Sequence, residues 1–493
     1  MTGGENGKLK MKMRMVILNY YCLVVLGFIH LNHHHVVFGS YSSGVSTAYH
    51  HYYRQYAAQR IPTTTPPALI TLSSRPPPIS QSNSRVYHVT HYGADPTGRS
   101  DSTDALNRAI SDACRIPSSS LNVNLLDGVA DLGGSQLDLD GGTYKISRPL
   151  RLPLISAGNF MIHGGSLSAS HDFPSDGHLI ELHSSHSLIS YEHITLKDLI
   201  INSNFRGGGI AILNSLRTTV DNCYVSHFTT NGILIRGGHE TYVRNSFIGQ
   251  HINAGGDPRE KDFSAIGINI VGNDNSVTDV VIFSASVGIL VSGQANVFQG
   301  VHCYNKAAAL GGVGIYIRAP GFTQTRILNS YFDFTGIVAE DPVQLHVAGS
   351  FFLGNAFVSI KSLNGVVSAV NIVDNMFSGD YTGVPIVQLD QSNAPFTRID
   401  QVVVDRNSVR GMTLKSTVAR GSAWTNGTTW TVDFSRVLLF PNLIKHVQYT
   451  LHAAGATFPN HILRNISANR ITVESDFPVS ATLHASVDQS MVG

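Results

Sequence analysis

Short apolar segments that open on glycine recur through the middle of the chain: Gly209-Ile210-Ala211-Ile212, Gly232-Ile233-Leu234-Ile235, Gly267-Ile268-Asn269-Ile270, Gly288-Ile289-Leu290-Val291 and Gly314-Ile315-Tyr316-Ile317. Their starts lie 23, 35, 21 and 26 residues apart. Several are followed by a second short strand with a polar corner: Val220-Asp221-Asn222-Cys223-Tyr224-Val225, Val243-Arg244-Asn245-Ser246-Phe247-Ile248, Ile327-Leu328-Asn329-Ser330-Tyr331-Phe332 and Ile372-Val373-Asp374-Asn375-Met376-Phe377. A coil of ~20 to 25 residues with two or three short strands is one rung of a solenoid, whose inward side chains stack on their equivalents above and below. The pattern predicts an all-β chain, a right-handed parallel β-helix over 86–411. Asn222, Asn245, Asn329 and Asn375 recur at one corner, where a structural ladder of amides is expected. The ~40-residue blades of a propeller and the Leu-x-x-Leu of leucine-rich repeats are both missing.

The flanks read differently. Lys8, Lys10, Lys12 and Arg14 precede an apolar run from Met15 to Ile29, which predicts a signal peptide over 1–39 and hence secretion, with a signal-anchor as the rival. Residues 40–85, rich in Tyr, Ser, Thr, His and Pro, lack an apolar period and read as a linker without a core. Val86-Tyr87-His88-Val89 is a short strand, and Asp101-Ser102-Thr103-Asp104 is an N-cap cluster. With Leu106, Ile110 and Ala113 on one face, the helix it starts is suited to plug the solenoid's end. Over 412–493 the rung period fades, and a C-terminal β cap or small module is expected, in which Trp424 and Trp430 either pack or stack on sugars.

Composition narrows the function. Charged residues are 14% of the chain and the formal net charge is +1, so no basic field points to nucleic acid. Many of the 23 His fall in the N-terminal tract, and no metal site or cofactor is expected. After the signal no segment is apolar and long enough to be a membrane helix. Outside the signal stand Cys114, Cys223 and Cys303, which leaves open one disulfide or three buried thiols. Asn426-Gly427-Thr428 and Asn465-Ile466-Ser467 are glycosylation acceptors in a secreted chain.

The 35-residue spacing marks a rung that carries an insertion, Gly249 to Ser264, dense in His251, Asp257, Arg259, Glu260, Lys261 and Asp262. It reads either as a solvated loop or as one wall of a groove along the solenoid. Hydrolysis of a glycosidic bond generally needs two carboxyl groups, and the candidates are Asp257, Glu260, Asp262 and Asp274, the last equally suited to a tight turn. Arg206, Arg236, His239, Lys306 and Arg318 lie at the edges of successive Gly-led strands, where stacking would align them toward the carboxylates of an acidic polysaccharide.

Gly272-Asn273-Asp274-Asn275, Val301-His302-Cys303-Tyr304-Asn305-Lys306, the run Thr335 to Leu345 and Val402-Val403-Val404-Asp405-Arg406-Asn407-Ser408-Val409 carry a family resemblance. From Val86 to about Val487 the chain resembles the quartet-type plant polygalacturonases of the pectin-lyase-like superfamily. That resemblance implies secretion to the cell wall, action on homogalacturonan or pectate, and a part in degrading the pollen mother cell wall so that pollen grains separate; a monomer is expected. The Asn-Thr-Asp, Asp-Asp, Gly-His-Gly and Arg-Ile-Lys motifs of ordinary family 28 polygalacturonases do not appear. The acid pair is therefore expected elsewhere. A lyase using Ca²⁺ held by Asp257, Asp262 and Asp274, and a non-catalytic pectin-binding wall protein, stand as alternatives.

Overall fold

Isoleucine and valine at every second position make each short strand apolar on one side, and a closed coil of such strands places that side within. The computed structural model describes residues 85–116, 124–126, 128–183, 189–252, 263–304 and 313–490. The expected signal and the linker up to residue 84 lie outside them. From Val86 to Arg410 the described strands, apart from the antiparallel Asn124–Leu126, pair in parallel with strands one turn ahead, which gives a right-handed parallel β-helix with three faces.

Three inner columns fill it. On the first sheet Ile210, Ile233, Ile268, Ile289, Ile315, Ile337 and Val358 are paired in register and fully buried. On the second, Val220, Val243, Val277, Phe298, Ile327 and Val347 form the matching column. The third stacks Val225, Ile248, Ile282, Cys303, Phe332 and Phe352, with the last two rings 4.9 Å apart.

The leading glycines follow from the same closeness. A Cβ on Gly209, Gly232, Gly267 or Gly288 would stand 2.5–2.6 Å from the carbonyl oxygen of the next rung's glycine. Only a hydrogen fits there, so glycine heads the strand in rung after rung.

The polar corner differs from the expected ladder. Asn222, Asn245 and Asn329 hold left-handed backbone, with φ of 50°, 51° and 50°, in the turn between the second and third sheets. Asn222 donates to Asp198 and Asn245 to Asp221, not to each other. The ladder runs one residue later, where side chains point inward. Ser330 Oγ accepts from Val301 N–H, Ser350 Oγ from Ser330 N–H, Asn375 Oδ1 from Ser350 N–H, and Asn407 Oδ1 from Asn375 N–H. Asn375 alone of the four expected residues belongs to it. A second ladder, Thr241 to Asn275 to Asn296, lines the corner between the first and second sheets.

Helix α1 (Thr103–Ala113) buries Leu106, Ala109, Ile110 and Ala113 in the same core as the rungs. Its N-terminus is capped by Asp101, which accepts from Thr103 N–H at 3.0 Å. Ser408–Arg410 is the last strand of the parallel stack, and Val418–Asp433, His446–Ala453, His461–Ser467 and Arg470–Asp488 then form an antiparallel four-stranded sheet over a second core. Cys114, Cys223 and Cys303 are buried free thiols. Burial pushes the thiols of Cys114 and Cys223 up to about 12, and that of Cys303 upward as well.

Candidate active site

The side chains that alternate with the inner column of the first sheet point outward, and parallel pairing sets them in straight rows. One row reads Leu213, Arg236, Val271 and, past the next rung, Arg318, Glu340, Lys361 and Asp390. Glu340, Lys361 and Asp390 occupy consecutive rungs. Two rung spacings of ~4.8 Å put the backbones of Glu340 and Asp390 ~9.6 Å apart.

Glu340 faces outward but is only 7% exposed, because its neighbours close over it. Tyr316 Oη donates to Glu340 Oε1 at 2.6 Å, and Lys361 Nζ lies 3.3 Å from the same oxygen and 3.4 Å from Tyr316 Oη. Arg318 leans on the Tyr316 ring with its guanidinium carbon 5.9 Å from the centroid. Burial, then the bond to Glu340, raises the Tyr316 phenol. Lys361 is held above the usual ammonium value first by its bond to Tyr316. Asp390 is held below the usual carboxylate range by hydrogen bonds from Ser392, so it is ionised at neutral pH. Asp341, next to Glu340, is tied up structurally: its carboxylate accepts from the N–H groups of Leu363, Asn364 and Val366.

A second polar group lies toward the N-terminal end of the same sheet. Arg151 Nε is 2.7 Å from Glu181 Oε2, while Glu181 Oε1 accepts from His178 N–H. His178 is buried, its imidazole lowered by that burial, and its ring lies where a Cβ on Gly208 would stand, 2.4 Å from His178 Cδ2. Glu192, Arg217 and Glu240 form a carboxylate–guanidinium–carboxylate chain at the following corner.

Of the residues expected from the sequence, Asp257, Glu260, Asp262 and Lys306 lie outside the described residues. Asp274 is an exposed turn residue with φ of 58°, the conformation a tight corner requires, between strands Ile266–Asn273 and Ser276–Thr278. Arg236 and Arg318 share the outward row of the first sheet, three rungs and so ~14 Å apart. His239 is exposed beyond a register shift in the same strand as Arg236. Arg206 is half-buried, and its Nε donates to Phe173 O, so it braces a turn. Among the described residues one trio, His88, Asp138 and Asp140, brings metal-competent atoms within 4.8 Å of one another. His88 and Asp140 already bond each other at 2.6 Å, remote from the row above.

Tyr316, Glu340, Lys361 and Asp390 were not singled out from the sequence. The signal was available in Ile317-Arg318, Ala339-Glu340, Ile360-Lys361 and Leu389-Asp390, an inward apolar residue followed by an outward charge in four consecutive rungs. Glycine no longer heads the last two strands, so they fall outside the Gly-led pattern that the eye follows.

Such a row of acids beside cations on a stiff flank suits an acidic polymer, and comparison with known proteins bears on which one. The chain is 59% identical over 419 residues to polygalacturonase QRT3 of Arabidopsis thaliana, covering 84% of this chain and 86% of that protein. The chain belongs to the quartet-type plant polygalacturonase family. No model of a protein family matches it. Among solved structures the quartet-type polygalacturonase chain is similar to ORF18 of Geobacillus virus E2, with a TM-score of 0.53, 14% identity and coverage of 80% of this chain and 77% of that one, a likeness of fold alone. It is also similar to tailspike gp49 of Pseudomonas phage LKA1, at a TM-score of 0.45 and 12% identity over 72% and 66% of the two chains.

Proposed function

We propose that the chain is a secreted polygalacturonase that hydrolyses α-1,4-galacturonosyl bonds of homogalacturonan in the plant cell wall, and acts on the pollen mother cell wall as pollen separates. The observation that supports it most is the Glu340–Lys361–Asp390 row beneath Arg318, in a chain so similar to a polygalacturonase. Inverting hydrolysis needs two carboxyl groups ~6.5 to 9.5 Å apart, leaving room for a water. Glu340 and Asp390 stand two rungs apart, and side-chain rotation brings their carboxyl groups into that range. Asp390, ionised and half-exposed, is assigned to activate the water, and Glu340, which accepts from Tyr316, is assigned as the partner carboxyl across the scissile bond. Arg318 and Arg236, on the Glu340 side of the pair, would hold uronate carboxylates, with Lys361 between the two acids. Exposed Asn426 and Asn465 are the glycosylation positions this reading implies.

Glu340→Gln and Asp390→Asn are each expected to lower turnover on polygalacturonate by ~10² to 10⁴-fold with little change in thermal stability. New reducing ends without absorbance from an unsaturated product are expected from the native chain. Full turnover in both variants would remove these residues from the chemistry, and an unsaturated product would turn the reaction into elimination.

A further inference from the structure

The C-terminal antiparallel sheet has two unlike faces. One packs Ala419, Trp430, Val432, Leu483, Ala485 and Val487 into its core, where Trp430 is 1% exposed and its indole N–H donates to Ala481 O at 2.9 Å. The other face is largely polar around Trp424. Arg420, Ser422, Trp424 and Asn426 alternate along one strand, and their register partners are Ser486, His484, Thr482 and Ser480. Beyond them lie Gln448, Thr450 and His452 of the third strand. Trp424 stands midway along the edge strand Val418–Asp433 and is 69% exposed.

An indole left in water forgoes the burial that favours tryptophan in a core. Framed by hydroxyls, imidazoles and a guanidinium, it offers instead a flat apolar platform with hydrogen-bonding groups around it. A sugar ring has the complementary make-up, C–H groups on its face and hydroxyls on its rim. The charge of the plane selects among sugars. Arg420 supplies the fixed positive charge beside Trp424, the imidazoles of His446, His452 and His484 face outward as hydrogen-bonding groups, and the carboxylate at the near margin, Asp488, accepts from Ser490 N–H and Oγ–H, both at 2.6 Å. An open depression of about 930 Å³ runs over Arg420, Ser422, Gln448, Thr450, His484 and Ser486. Arg420 and Trp424 are four residues apart on one strand, ~13 Å at the usual rise, room for more than one ring.

We propose that this plane is a second saccharide-binding surface, separate from the row on the first sheet, that takes an anionic uronate oligosaccharide on Trp424 with Arg420 and His484 meeting its carboxylates. It rests on the reading of the chain as acting on polygalacturonate. It gives the chain a hold on the polymer that does not depend on the reacting bond.

The test uses the full chain carrying Glu340→Gln, so that polymer is retained rather than cut, in affinity gels containing polygalacturonate. Trp424→Ala and Arg420→Ala are each expected to weaken retention by about fivefold to tenfold, and Trp424→Tyr to restore most of it. Retention on fully methyl-esterified pectin is expected to be weak for all of them. With glutamate back at 340, Trp424→Ala is expected to cut a short galacturonate oligomer within about twofold of the native rate. Unchanged retention in both alanine variants, or equal retention on esterified pectin, overturns the proposal. A native chain that cuts polygalacturonate while Trp424→Ala is retained normally removes this surface and leaves the proposed hydrolase. A chain that cuts nothing but is held through Trp424 does the reverse.

Discussion

Gly267 shows at a single residue how tightly the rungs are drawn together. A methyl group there would meet Ile282 Cγ2 at 2.9 Å and Gly288 O at 2.5 Å, the latter a backbone atom of the next rung that cannot move without parting the two rungs. Gly267→Ala is therefore expected to cost ~1–3 kcal/mol in a denaturant titration, and an unchanged midpoint would contradict the packing described. The buried thiols make a second expectation at this scale. Cys114, Cys223 and Cys303 are to stay unreactive toward a thiol reagent in the native chain and to titrate on unfolding, since burial keeps each protonated. His88 gives a pH dependence. Its bond to Asp140 raises the imidazole, so the contribution is fully present below its unfolded value, about 6.5, and is lost as pH rises through the folded value. The destabilisation caused by His88→Ala, followed by thermal melting, should thus be larger near pH 5 than near pH 8.

At the scale of the element, a corner is a division of labour between adjacent residues. Asn222, Asn245 and Asn329 supply the left-handed turn, and the inward residue after each carries the bonds between rungs. Asn375 does the second job most fully: it accepts from Ser350 N–H and donates from Nδ2 to Val347 O and Asn407 Oδ1. Asn375→Ala leaves a buried N–H and a buried carbonyl without partners, and is expected to cost ~1–3 kcal/mol or more, whereas Asn222→Gly should cost far less. Equal effects on the melting midpoint would erase the distinction. The recurrence of asparagine is legible in the sequence but this division is not, because a turn and a ladder favour the same residue and differ only in which way the side chain points.

For the whole molecule, the useful consequence is alignment. Arg236, Arg318 and Lys361 come from strands far apart in sequence, yet parallel pairing sets them in one row. Arg318→Gln is expected to raise KM for polygalacturonate several-fold with little loss of kcat, and added salt to raise the native KM, as screening weakens exposed charge contacts. A KM indifferent to both would argue against a substrate lying along this face.

Alternation of apolar residues, glycine at many strand heads and a recurring polar corner were enough to specify a stacked β coil, because each rung repeats the same local demands on its residues. The resemblance in Val402 to Val409 and in Thr335 to Leu345 likewise placed the chain in its family from sequence alone. Which carboxylates stand together was decided by the fold. Glu340 and Asp390 are separated by 50 positions, as their numbers show, and only the register of three consecutive rungs makes them neighbours. The two tryptophans make the same point, since Trp424 and Trp430 lie six positions apart in one strand, and a register shift between Gly427 and Thr429 comes between them. One ring then faces the core and the other the solvent, an assignment that depends on pairing with Arg470–Asp488.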